Sequence, residues 1–139
     1  MDLGLKGKKV IMNGGSHGLG LASLKTYAAE GCDVAFFSSN ADRVAAAEKV
    51  IDTAGTGKVF GTQLDMTRNP EGYASWLEKA VKDLGGCDIF VHTASASGQG
   101  ATGDWDRCLD LDIKGASIAI DVLTPALAAK AAASNVAEK

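Results

Sequence analysis

The sequence predicts an α/β fold, a parallel sheet covered by helices on both faces, from three observations. Short β-branched or aromatic runs alternate with longer segments of helical period. Those short runs are continuously apolar, as in strands buried on both faces. With 139 residues, 46% of them hydrophobic, the chain has material for one core; a domain this size buries roughly 70% of its unfolded surface. Strand–helix alternation makes βαβ units, and their right-handed crossovers give parallel strands.

The strand runs are Lys9–Asn13, Asp33–Phe37, Lys58–Thr62 and Asp88–His92. Helical period covers Gly18–Glu30, Ala41–Thr53, Glu71–Leu84 and about Asp104 to Ala129. Gly31 and Gly55 follow the first two helices, where a left-handed stop is easiest for glycine. Asn40 can cap the second helix, and Asn69 before Pro70 can open the third. Gly85-Gly86 ends the third, and Pro125 predicts a kink late in the fourth. The last ten residues, Lys130–Lys139, favour helix by propensity without a clear apolar stripe, so residues 1–129 are expected to form the domain and 130–139 a tail.

Composition narrows the function. A formal net charge of −3 and scattered basic residues argue against nucleic acid and anionic membranes. Cys32, Cys87 and Cys108 lie far apart, which fits buried apolar thiols rather than a disulfide framework or a thiolate metal site. There is no signal-peptide pattern and no apolar run near the ~18 residues of a spanning helix. A cytoplasmic, soluble protein is expected.

The segment that carries chemistry is Asn13-Gly14-Gly15-Ser16-His17-Gly18-Leu19-Gly20, after the first strand and opening the first helix. In Gly14-x-x-x-Gly18-x-Gly20, Gly14 permits a tight turn, Gly18 lets backbone approach a pyrophosphate, and Gly20 lets helix and strand pack closely. The helix N-terminus offers N–H groups and a positive dipole end to phosphates. A plain strand-to-helix connection is the alternative.

With this turn, the Leu64-Asp65-Met66-Thr67 segment, Asp104-Trp105-Asp106, Lys114-Gly115 and Thr124-Pro125, the chain resembles the N-terminal part of the short-chain dehydrogenase/reductase family over roughly residues 5 to 129. The resemblance implies a Rossmann-type three-layer sheet, here about four strands in the order 3-2-1-4 and truncated relative to the family. It implies a dinucleotide held by Gly14, Ser16, His17, Gly18, Leu19 and Gly20, with Asp65 and Met66 at the adenine and Ala94 and Ser95 beyond the fourth strand. Set apart from the family, Asp65 reads as a turn or cap residue.

An acidic residue about 20 positions past the glycines would grip the ribose 2′-OH of NAD. Phe37-Ser38-Ser39-Asn40 has no carboxylate there, and no Arg or Lys of the kind NADP-using members carry. Ser38, Ser39, Asn40 and a partly protonated His17 could hold a 2′-phosphate, weakly compared with Arg. NADP is therefore expected over NAD. An idle surface histidine at position 17 is the plain alternative.

Hydride transfer in the family needs Tyr-x-x-x-Lys on one helix, with Ser and Asn. Here Tyr27 is followed four positions on by Gly31, and Tyr73 by Leu77, so the pair is absent. The loop after the fourth strand, usually Asn-Asn-Ala-Gly, reads His92-Thr93-Ala94-Ser95, and Asp112 stands as a degenerate remnant of the catalytic asparagine. Asp112, His92 and Lys114 make a poor substitute acid/base set, since positions two apart on a helix point to different faces.

The expectation is a dinucleotide-binding part of an alcohol/ketone oxidoreductase, inactive alone, with no metal. One alternative is an active enzyme completed by a second chain; another is a non-binding, oligomerising module. A homo-oligomer is expected through the long helix 104–129, whose Leu109, Ile113, Ile120 and Leu127 exceed what four strands need covered, or through the exposed strand edge.

Overall fold

A computed structural model describes residues 2–96 and 103–137. Its elements are β1 (Lys9–Asn13), α1 (Gly18–Ala29), β2 (Asp33–Ser38), α2 (Ala41–Asp52), β3 (Val59–Gln63), α3 (Pro70–Leu84), β4 (Ile89–His92), α4 (Trp105–Cys108), a π-helical turn (Leu109–Lys114) and α5 (Gly115–Ala137). The four strands form one sheet in the order β3-β2-β1-β4, with every pair parallel. The expected order thus stands.

The two-residue period of a strand splits the core in two. Val10, Met12, Val34 and Phe36 face Leu24 and Ala28 of α1 and Val44, Ala47 and Ile51 of α2. Ile11, Ala35 and Phe37 face Tyr73, Leu77 and Ala80 of α3 and Ala119 and Leu123 of α5. Each wholly buried Leu, Ile or Phe in these layers contributes about 1.5–3 kcal/mol.

Most punctuation falls where the sequence puts it. Asn40 Oδ1 accepts from Arg43 N at 2.9 Å and Asn69 Oδ1 from Gly72 N at 2.9 Å. Gly31 and Gly85 take φ of +83° and +79°. Gly55 is a correction. The α2 helix ends at Thr53 in right-handed geometry, and Gly55 is needed instead because any Cβ there would strike the carbonyl of Ala28.

Strand limits shift by one residue. The Lys58 N–H is bonded to the Asp33 carboxylate at 2.7 Å, so β3 starts at Val59. The Asp88 carboxylate accepts from Lys9 N at 2.8 Å, so β4 starts at Ile89. Asp33 also pairs with Lys9 and Asp88 with Lys8, which closes this end of the sheet with an ion-pair cluster.

The fourth helix differs more. It continues past residue 129 to Ala137, contains Pro125 at an exposed position, and opens with Asp104 Oδ1 accepting from Arg107 N at 3.0 Å. Its second turn is π-helical, a geometry found mostly as single turns at functional places. The helical run Trp105–Ser134 is also long and apolar enough to cross a membrane by length and composition, which corrects the reading that no such stretch exists. Here one face of it packs on α3 and the sheet.

Leu109, Ile113 and Ile120 are exposed as expected, with Trp105 beside them. Leu127 is not part of that face; it packs into the chain's own core. Cys32 and Cys87 are buried, whereas Cys108 is only partly so.

Candidate cofactor site

The order 3-2-1-4 reverses between β1 and β4, and a crevice opens beyond the carboxyl ends of strands at such a switch point. The cleft here holds ≈ 730 Å³ and is walled by the Gly14–Gly20 turn, the end of β2, the Leu64–Thr67 segment and the loop after β4.

The turn is built by its glycines. Gly14, Gly15 and Gly18 have φ of +82°, +112° and +56°, a region side chains rarely enter. A Cβ on Gly20 would lie 2.8 Å from Gly15 Cα and 3.1 Å from Gly15 N, so the helix can seat on the turn only without one. On Gly18, by contrast, a Cβ would meet nothing within 4 Å. Gly18 also lines the cleft. The α1 helix has no acidic residue in its first turn, leaving its dipole end unopposed for an anion.

Around the turn, Ser16 is buried and its hydroxyl donates to Ser38 Oγ at 2.8 Å, tying the loop to the end of β2. His17 and Leu19 are exposed, Leu19 at 87%. Ser38 and Ser39 lie on the wall. Asn40 does not: its amide oxygen is committed to the α2 cap, which removes it from the expected set. One turn into α2, Arg43 reaches the same wall, a cation the sequence reading missed. Gly15, Thr93 and Arg107 were missed as well.

Asp65 and Met66 also line the cleft, next to the end of β2, where Leu64 N donates to the Ser38 carbonyl at 2.9 Å. Asp65 Oδ1 accepts from Thr67 Oγ1 at 2.6 Å and from Thr67 N at 3.1 Å. The Thr67 hydroxyl, opposed by burial, holds the carboxyl below its ordinary range. It is thus both a turn former and a cleft residue, so the two readings of Asp65 coexist.

Ala94 and Ser95 form the far wall. Ser95 Oγ donates to Asp112 Oδ1 at 2.5 Å, and Ala96 N to Asp112 Oδ2 at 3.2 Å. The Ser95 hydroxyl keeps that carboxyl ionised below the usual carboxylate range. Lys114 instead pairs with Asp110 at 2.7 Å. Asp112 and Lys114 therefore do not share a site, as their spacing on the helix implied.

Beneath the wall lies a buried polar cluster the sequence did not reveal. Asn13 is fully buried; its Oδ1 accepts from Thr93 N at 2.8 Å and Ala94 N at 3.2 Å. Its Nδ2 donates to Tyr73 Oη at 3.2 Å and meets His92 Nδ1 at 2.6 Å. Tyr73, also fully buried, donates to the Gly115 carbonyl at 2.8 Å, and burial pushes its phenol up to about 12.

The parts fit a dinucleotide. A helix N-terminus with a side-chain-free approach takes a pyrophosphate, and the Gly14 position would be filled by any Cβ, which would stand 2.9 Å from Thr93 Oγ1. Hydroxyls, Arg43 and Met66 all line the cleft. This is a Rossmann-type domain with a cleft at its switch point.

Residues 8–137 match the short chain dehydrogenase family, and the chain belongs to it. It is 32% identical over 117 residues to 3beta-hydroxysteroid dehydrogenase 1 of Eggerthella lenta, covering 80% of this chain and 44% of that protein. L-sorbose reductase from Gluconobacter frateurii, solved with NADPH and L-sorbose, superposes with a TM-score of 0.83 at 27% identity, over 94% of this chain and 51% of that one. An NADH-dependent reductase solved with NAD gives 0.82 at 25% identity, over 97% and 58%. The chain spans about half the length of the relatives it matches.

Proposed function

We propose that these residues bind NADP(H), in preference to NAD(H), as the cofactor-holding half of an alcohol/ketone oxidoreductase. The observation that carries this reading is the open, positively inclined helix N-terminus at Gly18, facing a cleft whose β2 wall has Ser38, Ser39 and Arg43 and no carboxylate. The pyrophosphate lies at the Gly14–Gly20 turn. Ser38, Ser39 and Arg43, with His17 nearby, take the 2′-phosphate, where a guanidinium is worth more than a hydroxyl. Asp65 and Met66 hold the adenine, and Ala94 and Ser95 flank the rest of the cofactor. When bound, the nicotinamide supplies a hydride acceptor or donor at its C4.

The 139 residues hold no Tyr-x-x-x-Lys pair, and a general acid/base with its pKa-lowering lysine is what a secondary alcohol needs to lose its proton. Asp112 is an acceptor-only carboxylate tied to Ser95. These residues by themselves therefore bind cofactor without turnover. Self-association through the exposed Leu109, Ile113 and Ile120 belongs to the same proposal.

Titration with NADPH and NADH, followed by nicotinamide fluorescence and calorimetry, tests it. Saturable binding with NADPH tighter, abolished by Gly18→Val, is expected. No binding of either at millimolar concentration refutes it, and the glycine turn is then a feature of the fold alone.

A further inference from the structure

The hydrogen bonds of the buried cluster under the cleft can be given directions. Asn13 Oδ1 must be the oxygen, because it faces two backbone donors, Thr93 N and Ala94 N. Asn13 Nδ2 is then a donor to both its partners. Tyr73 Oη accepts from it and passes its own proton to the Gly115 carbonyl at the start of α5. His92 Nδ1, at 2.6 Å from the same Nδ2, can only accept. The proton of the neutral imidazole is therefore on Nε2, which is buried and meets no hydrogen-bond partner among the described residues, with Asp112 as the neighbouring charge.

We infer that His92 is a positioning residue for the dinucleotide: as the neutral Nε2–H tautomer it locks the Asn13 amide, which in turn holds the Thr93–Ala94 wall of the cleft. The inference rests on the reading of the cleft as a dinucleotide site. A second proton on His92 would set an Nδ1–H against the Asn13 NH₂ group. Asn13 cannot turn over to offer its oxygen without losing Thr93 N, Ala94 N and Tyr73 together. Protonation thus breaks the lock on the Asn13 amide and loosens the wall, which is left to the Thr93 bonds to the Asn13 carbonyl.

The charged or titratable groups around this imidazole and the amide it meets are few among the described residues. Tyr73 of α3 stays neutral across the range. Asp112 of the π-helical turn favours the imidazolium, but burial outweighs it and lowers the His92 pKa from its ordinary value. Asn13 of β1 adds to burial by bonding to the neutral form. The lock therefore holds at neutral pH and opens on the acid side.

The test uses the whole chain in a His17→Gln background, which removes the other of its two histidines. The probe is NAD, which carries no 2′-phosphate to titrate. Its affinity is measured between about pH 8 and about pH 5. If only the neutral form binds, affinity falls about tenfold per pH unit below the His92 pKa. Adding His92→Asn supplies a carbonyl acceptor that cannot be protonated, and the profile should become flat. Backbone amide exchange at Thr93 and Ala94, corrected for intrinsic rate, should accelerate over the same range with His92 and not with Asn.

A profile that keeps its fall in His92→Asn, or amides whose protection ignores pH, overturns the inference. Absence of binding of both NAD and NADPH at about pH 8, with the amides protected and pH-sensitive, overturns the dinucleotide reading instead.

Discussion

Gly18 and Gly20 stand two residues apart in one turn, yet the structure gives a methyl group opposite surroundings at each. At Gly20 the added carbon would sit 2.8 Å from Gly15 Cα, against an ordinary contact of 3.4–4 Å, and the obstacle is backbone. Nothing there can rotate away, so α1 must lift off the turn. Overpacking of this kind costs about 1–3 kcal/mol. At roughly 4 °C per kcal/mol for a domain of this size, the Tm of Gly20→Ala should fall by about 4–12 °C.

At Gly18 the space is empty and the cost is the left-handed backbone alone, about 1 kcal/mol or about 4 °C. That methyl projects where the pyrophosphate must approach. Gly18→Ala should therefore keep its fold and lose at least about tenfold in NADPH affinity, whereas Gly20→Ala loses stability and affinity together. Differential scanning fluorimetry and calorimetric titration read the two quantities. A Gly20→Ala protein that melts with the wild type refutes the packing argument. A folded Gly18→Ala protein that binds NADPH normally refutes the ligand argument.

Three further outcomes are expected. Arg43→Gln should weaken NADPH about tenfold and leave NADH unchanged, since only the 2′-phosphate uses a charge-assisted bond there; equal effects on both in parallel titrations would remove Arg43 from the site. Asp33 is pushed up by burial but held lower overall by Lys9 and the Lys58 N–H. Its folded pKa lies below the unfolded value of 3.8, so its contribution is present above pH 3.8 and is lost as pH falls through the folded pKa. Urea titrations should show Asp33→Asn less stable than wild type at neutral pH, with the gap closing in acid. Ile113→Glu with Ile120→Glu, both at exposed positions, should shift sedimentation toward monomer without lowering Tm; an unchanged distribution would place self-association elsewhere.

The sheet was legible because four continuous apolar runs admit few arrangements, and the glycine turn because its spacing has one mechanical purpose. The site's other half was written in tertiary contact. Arg43 stands six residues after Phe37, beyond the strand-end window where a phosphate ligand was sought, and the first turn of α2 carries it back to the cleft. Asn40 was sought as a ligand and also as a cap, and the cap took it. Leu109–Lys114 has ordinary helical period; the turn is π-helical in a setting where Asp112 reaches Ser95 and Tyr73 holds Gly115. Tyr73 looked idle because catalysis was the only role weighed for it.

Fold and site are one construction here. Gly20 seats α1 on the turn and, by the same contact, fixes where the helix N–H groups point. Asn13 ends β1, and its amide closes the sheet to the β4 loop while shaping the far wall of the cleft. Residues that act in both capacities cannot be tested by activity alone, since loss of fold also abolishes binding. Gly18, Arg43 and Ser39 are different. They face the cleft without supporting the core, so binding lost at these positions with the fold kept, and at Gly18 with no more than the backbone cost of about 4 °C, is evidence about the ligand. A phosphate-binding turn predicts that separation, and a turn that merely joins a strand to a helix predicts no effect at any of the three.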